Sequence, residues 1–138
     1  MEDWSTRFTM MPEMSSQSAG KRQRILVIED HTPTRLAMSK LIRQAGAEVV
    51  TARDGEEGLN YLLTQRFDVL LTDLRMPVMD GFELLQHCSR LPSSHRPRRI
   101  IAISGEYEAS VLHDQPVQFL PKPFNLAALL DMIGGKPN

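Results

Sequence analysis

From Arg24 onward the chain alternates short, largely apolar runs with segments of helical spacing. Ile25-Leu-Val-Ile28, Val69-Leu70-Leu71 and Ile100-Ile-Ala-Ile103 lack the polar alternation of a half-exposed strand, and Val117-Gln-Phe-Leu120 is interrupted only by Gln118. Continuous runs of that kind predict strands buried on both faces. Strands are expected at 25–28, 48–51, 68–72, 99–103 and 117–120. Between them, Met38, Leu41, Ile42 and Ala45 repeat at i, i+3, i+4, i+7 and predict a helix over about 33–45. Thr32 is its candidate cap, Pro33 suits its first turn and Gly46 its end. A second helix, about 55–65, turns Leu59, Leu62 and Leu63 inward. A third, about 81–90, packs Phe82, Leu85 and Cys88 or their neighbours, and a last one, about 125–134, carries Leu126, Leu129, Leu130 and Ile133 behind an Asn125 cap. Strands alternating with helices imply right-handed βαβ units and a parallel sheet covered on both faces.

Polar groups sit where these strands stop. The third run ends in Asp73, which opens the loop Asp73-Leu-Arg-Met-Pro-Val-Met-Asp-Gly81. The first runs into Glu29-Asp30, the fourth into Ser104-Gly105 and the fifth into Pro121-Lys122-Pro123-Phe124. On parallel strands all of these reach the carboxyl edge of the sheet, where ligands and chemistry gather in open α/β folds.

Composition narrows the classes. The 138 residues are 41% hydrophobic with a net charge of −1, as expected for one globular domain, and bulk charge favours neither nucleic acid nor an anionic membrane. The basic cluster Arg96, Arg98, Arg99, interrupted by Pro97, reads as a solvated loop. A single cysteine, Cys88, excludes an internal disulfide and a thiolate zinc site, and its leucine neighbours place it in the core. No apolar stretch approaches the ~18 residues of a membrane span, and the N-terminus is not a secretory signal. A reducing, cytoplasmic setting follows. Residues 1–22 read as a flexible tail, although Trp4, Phe8, Met10, Met11 and Met14 leave room for a short docking segment. Residues 23–134 form the domain and 135–138 a C-terminal tail with no effector domain behind it, so the output is expected to pass through a partner protein.

The residues also suggest a chemistry. A carboxylate can act as a nucleophile toward a phosphoryl group, and Asp73 is the candidate. Glu29, Asp30 and Asp73 held together would repel one another without a cation, and hard oxygen donors select Mg²⁺ or Mn²⁺. An ammonium (Lys122) can neutralise a phosphate, and a hydroxyl (Ser104) can donate to one of its oxygens.

Glu29-Asp30, the Asp73-to-Gly81 loop, Ser104 and Lys122-Pro123-Phe124 together resemble the signature of two-component response-regulator receiver domains, over about residues 23–134. The resemblance implies a flavodoxin-like, doubly wound, five-stranded parallel sheet of order 2-1-3-4-5. It implies a phosphoryl group accepted onto Asp73 from the phosphohistidine of a sensor histidine kinase or a histidine phosphotransfer protein, and a downstream output protein. It further implies that Asp30, Asp73 and the Arg75 backbone carbonyl ligate the ion, that Glu29 acts through water, and that the Lys122–Pro123 peptide is cis. Phe119 corresponds to the switch aromatic and Ser104 to its partner, although Phe119 reads equally well as a core strand residue. Arg75 and Glu106 carry opposite charges beside the site and could modulate the lifetime of the phosphoryl group. The chain departs from the pattern between Ser104 and Lys122, which are 18 positions apart. That interval is short and lacks an amphipathic stripe, so the fourth helix is expected to be shortened or irregular. Three alternatives remain: a docking module independent of phosphorylation, a receiver fragment of a hybrid histidine kinase, and a phosphohydrolase. The last requires a second acid two residues after the nucleophile, where this chain has Arg75. A receiver would not be an enzyme with turnover; it would only accept and lose its own phosphoryl group.

Overall fold

The computed structural model describes residues 22–104 and 117–134. Its elements follow in the order β1 (Arg24–Ile28), α1 (Thr32–Gln44), β2 (Glu48–Ala52), α2 (Gly55–Thr64), β3 (Val69–Asp73), α3 (Gly81–Ser89), a 3₁₀ turn (Ser93–His95), β4 (Arg99–Ser104), β5 (Gln118–Pro121) and α4 (Leu126–Gly134). The five strands form one sheet of order β2-β1-β3-β4-β5, every pair parallel. The expected topology is therefore the observed one. The segment of the expected irregular helix lies outside the described residues, as does nearly all of the N-terminal tail.

Period-two alternation within the apolar runs divides the core. Ile25, Val27, Val69, Leu71, Ile101 and Ile103 face one layer, which Met38 and Ile42 of α1 and Leu129 and Ile133 of α4 complete. Leu26, Ile28 and Leu70 face the other, where Leu62 of α2 and Leu84 and Cys88 of α3 pack. The continuous hydrophobicity of the β1, β3 and β4 runs thus reflects helices on both sides. Cys88 is a free, buried thiol, and burial pushes its pKa up to about 11.

Helix starts follow local chemistry. Asp54 and Asp80 cap α2 and α3, each accepting a backbone N–H three residues on, and Glu83 returns the bond to complete a capping box. Asn125 Oδ1 accepts from Ala128 N at 2.7 Å ahead of α4, as its sequence position suggests. The cap of α1 differs from expectation. His31, not Thr32, is the capping position, because its carbonyl accepts from Arg35 N at 2.9 Å and closes the first turn one residue earlier. The Thr32 hydroxyl instead accepts from the Arg35 guanidinium.

Three other side chains depart from their expected places. Leu63 is 53% exposed, because Gly55, Gly58 and Leu62 supply the buried face of α2. Ala45 is exposed, since α1 ends at Gln44 and Gly46 leaves with φ +104. Arg99 opens β4, as the expected strand at 99–103 has it, but its side chain is not solvated: the guanidinium donates to the Met132 and Ile133 carbonyls in the last turn of α4.

Gly81 shows how tightly the carboxyl edge is built. A Cβ there would lie 2.6 Å from the Asp73 carbonyl oxygen and 2.7 Å from Leu74 Cα, both backbone atoms that cannot move aside. Gly81→Ala should destabilise the fold by about 1–3 kcal/mol in urea unfolding. Gly134→Ala, where nothing among the described residues lies within 4 Å, should stay within about 0.5 kcal/mol of the parent.

Candidate functional site

The parallel register carries the strand-end residues to one edge. β3 ends at Asp73, whose Cα pairs with Ile103, and Ser104 pairs with Pro121 just before Lys122. On the other side of β3, Glu29 and Asp30 leave β1, and Glu29 N continues the ladder to Ala52 O at 3.0 Å. One carboxylate oxygen from each of Glu29, Asp30 and Asp73 lies within 4.8 Å of the others. Glu29 and Asp73 are buried, whereas Asp30 faces solvent. These three acids and Lys122 line one open cleft, with Arg75 and Phe124 at its margin.

Backbone contacts fix the acids in place. Glu29 Oε2 accepts the His31 N–H at 3.0 Å, and the Arg35 guanidinium donates to the Glu29 carbonyl at 2.9 Å. The carbonyl of Asp73 accepts from the Thr72 hydroxyl at 2.8 Å. Gly81 N bonds to Leu74 O at 3.0 Å, so the acid loop returns to the strand it left. Within that loop Val78 holds φ +69, a left-handed conformation that β-branched residues rarely take.

Electrostatics dominate the site. Lys122 Nζ lies 3.1 Å from Asp73 Oδ1 and 3.0 Å from Oδ2, and Arg75 N donates to Oδ1 at 3.1 Å. The ammonium is partly solvated while its carboxylate partner is not: side-chain exposures are 43% and 5%. At 4.8 Å, two unit charges repel by about 3–4 kcal/mol at an effective dielectric of 20. Glu29 shows the strain. Burial raises its pKa from 4.5 to about 7, the His31 N–H opposes that shift, and the nearby charges of Asp73 and Asp30 add to it.

The remaining expected residues are placed less uniformly. Ser104 is buried, and its Oγ has no hydrogen-bond partner among the described residues. Phe119 pairs with Ala102 and packs half-buried against Leu74, Leu85 and Ala102. Lys122–Pro123 is cis, as the resemblance implies. Arg75 is exposed at the site, whereas Glu106 lies outside the described residues, so their pairing is not visible. Sequence reasoning missed His31, Arg35 and Thr72 as supports. Arg35 had a usable signal, a cation one turn into the helix that follows the acids. The His31 and Thr72 contacts depend on backbone geometry that no residue pattern announces.

Comparison with known proteins places the chain in a family. The model of the response regulator receiver domain matches residues 25–134. The chain belongs to that family. A response regulator receiver protein of an Anaeromyxobacter species is 31% identical over 111 residues, which is 80% of this chain and 47% of that protein. Hybrid signal transduction histidine kinase E of Dictyostelium discoideum is 30% identical over 119 residues, 81% of this chain but 7% of the kinase. The chain thus spans about half or less of these curated relatives. Among solved structures, the chemotaxis response regulator CheY4 of Vibrio cholerae superposes with a TM-score of 0.74 at 31% identity, covering 83% of this chain and 98% of that one. This receiver is therefore a regulatory domain of two-component signalling; receiver domains bind Mg²⁺ at an acidic pocket, and this chain has an acidic cluster of Glu29, Asp30 and Asp73. Among the described residues, no helix is long and apolar enough to cross a membrane.

The raised Glu29 pKa has a definite sign in stability. Below pH 4.5 the carboxyl is protonated in both states. As pH rises toward 7 the unfolded chain loses the proton that the folded receiver keeps, so stability falls through that window. In EDTA at pH 8, Glu29→Gln should raise Tm by roughly 3–6 °C, and its stability should fall less between pH 4.5 and 7. An unchanged Tm–pH profile in the variant would count against the account.

Proposed function

We propose that this receiver is a phosphorylation-controlled signalling switch whose phosphoacceptor is Asp73. The observation that carries the reading is the buried Asp73 carboxylate held between two further acids and the Lys122 ammonium at 3.0–3.1 Å. The donor set fits Mg²⁺ or Mn²⁺: carboxylate oxygens converge on one point, and one of them, Asp30, stays open to solvent. Asp30, Asp73 and the Arg75 carbonyl would hold the ion, with Glu29 acting through water. When bound, the ion neutralises charge between the carboxylates and the incoming phosphoryl oxygens.

The reaction is a transfer from phosphohistidine. An Asp73 carboxylate oxygen attacks phosphorus in line, the new O–P bond forms as the N–P bond breaks, and the electron pair returns to the donor imidazole. Lys122 moves from the carboxylate to a phosphoryl oxygen, as its partly solvated stem allows. The Ser104 hydroxyl, buried without a partner among the described residues, donates to another. Such catalysis is positioning plus charge neutralisation. Water later attacks the acyl phosphate and restores Asp73. The switch performs no turnover on a separate substrate.

Residues 23–134 are the signalling unit in this reading, with 1–22 and 135–138 outside it. Its partners are a sensor histidine kinase or a histidine phosphotransfer protein, and a downstream output protein. Phe119 and Ser104 relay the phosphorylated state, and Arg75 with Glu106 sets the lifetime of the phosphoryl group. The relative found within a hybrid histidine kinase supports the kinase partner by analogy alone.

Intact mass after incubation with acetyl phosphate and Mg²⁺ tests the reading. The wild type should gain one alkali-labile phosphoryl group and Asp73→Ala none. Ser104→Ala should slow labelling about 10- to 100-fold. A stable adduct that persists in Asp73→Ala would overturn the assignment.

A further inference from the structure

We propose that the edge of the sheet opposite Asp73 carries a second binding site, a basic cleft that takes an acidic segment of a partner protein. The cleft lies where the strands begin, with Arg24 opening β1, Asp68 preceding β3 and Arg98 preceding β4. Five-residue strands put it about 17 Å from the acid cluster. Its charged lining is Arg22, Arg24, Arg66, Arg96 and Arg98 against Glu48 and Asp68. Five guanidiniums against two carboxylates leave an excess of three positive charges, in a chain whose overall charge is −1.

Arginines at this end of a parallel sheet have an ordinary task, because the helices end here and their last carbonyls need donors. Two of the five are committed to carbonyls just beyond the ends of α2 and α3. Arg24 donates to Arg66 O and Gln65 Oε1, both at 2.8 Å, pairs with Glu48 at 3.1 Å and covers the Phe67 ring at 5.0 Å. Arg96 Nε donates to Leu91 O at 2.8 Å. The other three are not. Among the described residues, the Arg22 and Arg66 side chains make no hydrogen bond or ion pair. Arg98 has only a 4.0 Å approach to Asp68, which already accepts the Arg24 N–H, and its side chain is 80% exposed.

Two guanidinium forks without a partner among the described residues, and a third held only by a long ion pair to Asp68, therefore line one cleft, each from a different segment. Such forks bind carboxylates bidentately, so the excess positive charge of the cleft is complementary to an acidic peptide. A nucleic acid fits less well, because the one aromatic ring of the cleft is 5% exposed beneath Arg24 and offers no base a stacking face. Occupancy here leaves Asp73 open, so a partner can hold the receiver by this end while a phosphodonor reaches the other.

The test uses a fluorescein-labelled octaglutamate peptide and the full chain in low salt, read by anisotropy. The wild type should bind, with affinity falling as salt rises, and Arg66→Glu/Arg98→Glu should bind at least ~10-fold more weakly. Backbone amide shifts on peptide addition should cluster at residues 22–24, 66–68 and 93–98. The double variant should still take one phosphoryl group from acetyl phosphate, which separates loss of this cleft from failure of the Asp73 reading. Should the double variant not fold, Arg22→Glu alone should weaken binding in the same direction. Absent binding, equal affinity in the variants, shifts centred elsewhere, or tighter binding of a single-stranded oligothymidine would each overturn the proposal.

Discussion

Mutual repulsion of three carboxylates at one sheet edge is the constraint around which the rest of this receiver is arranged. A parallel sheet ends its strands together, so Glu29, Asp30 and Asp73 arrive at one point within 4.8 Å whether or not charge favours it. Two of them are buried, where repulsion is least screened. The structure answers in three ways: the Lys122 ammonium lies against both Asp73 oxygens, the His31 N–H holds Glu29, and Glu29 keeps its proton to about pH 7. Each answer is partial, and a divalent cation would complete it.

The scaffold is rigid where that arrangement requires it. Gly81 lets the acid loop fold back onto the Asp73 carbonyl at a distance that no other residue permits, and the Arg35 guanidinium ties the first turn of α1 to the Glu29 carbonyl. Lys122 is looser, with a partly solvated side chain, and in the proposed reaction it must exchange a carboxylate for a phosphate. Charge is also distributed along the strands: acids gather where they end, and an excess of guanidiniums gathers where they begin.

Much of this was legible in the residues, for a physical reason. Strands buried on both faces must be continuously apolar, so a polar residue at the end of such a run marks the exit from the core. Glu29, Asp73, Ser104 and Lys122 all announce themselves in that way. Helix stripes were less legible. Leu63 fits the helical period yet faces solvent, because the glycines of α2 let that helix approach the sheet on another face: a Cβ at Gly58 would meet Ile28 Cδ1 at 2.2 Å. Periodicity cannot weigh a small residue as a contact. Arg99 was misread for a related reason, since a cation beside Pro97 looks solvated until α4 brings its last carbonyls within reach. The supports contributed by His31 and Thr72 are backbone events, invisible to any pattern of side chains.

The most direct measurement is a carbon-13 titration of the site carboxyl groups by NMR, without and with saturating Mg²⁺. Without metal the Glu29 carboxyl should titrate near pH 7, and with Mg²⁺ its midpoint should fall by more than one unit as the cation takes up the charge of the cluster. A Glu29 midpoint near 4.5 without metal, or one that Mg²⁺ leaves unmoved, would contradict the account of the site as a strained acid cluster that a divalent cation completes.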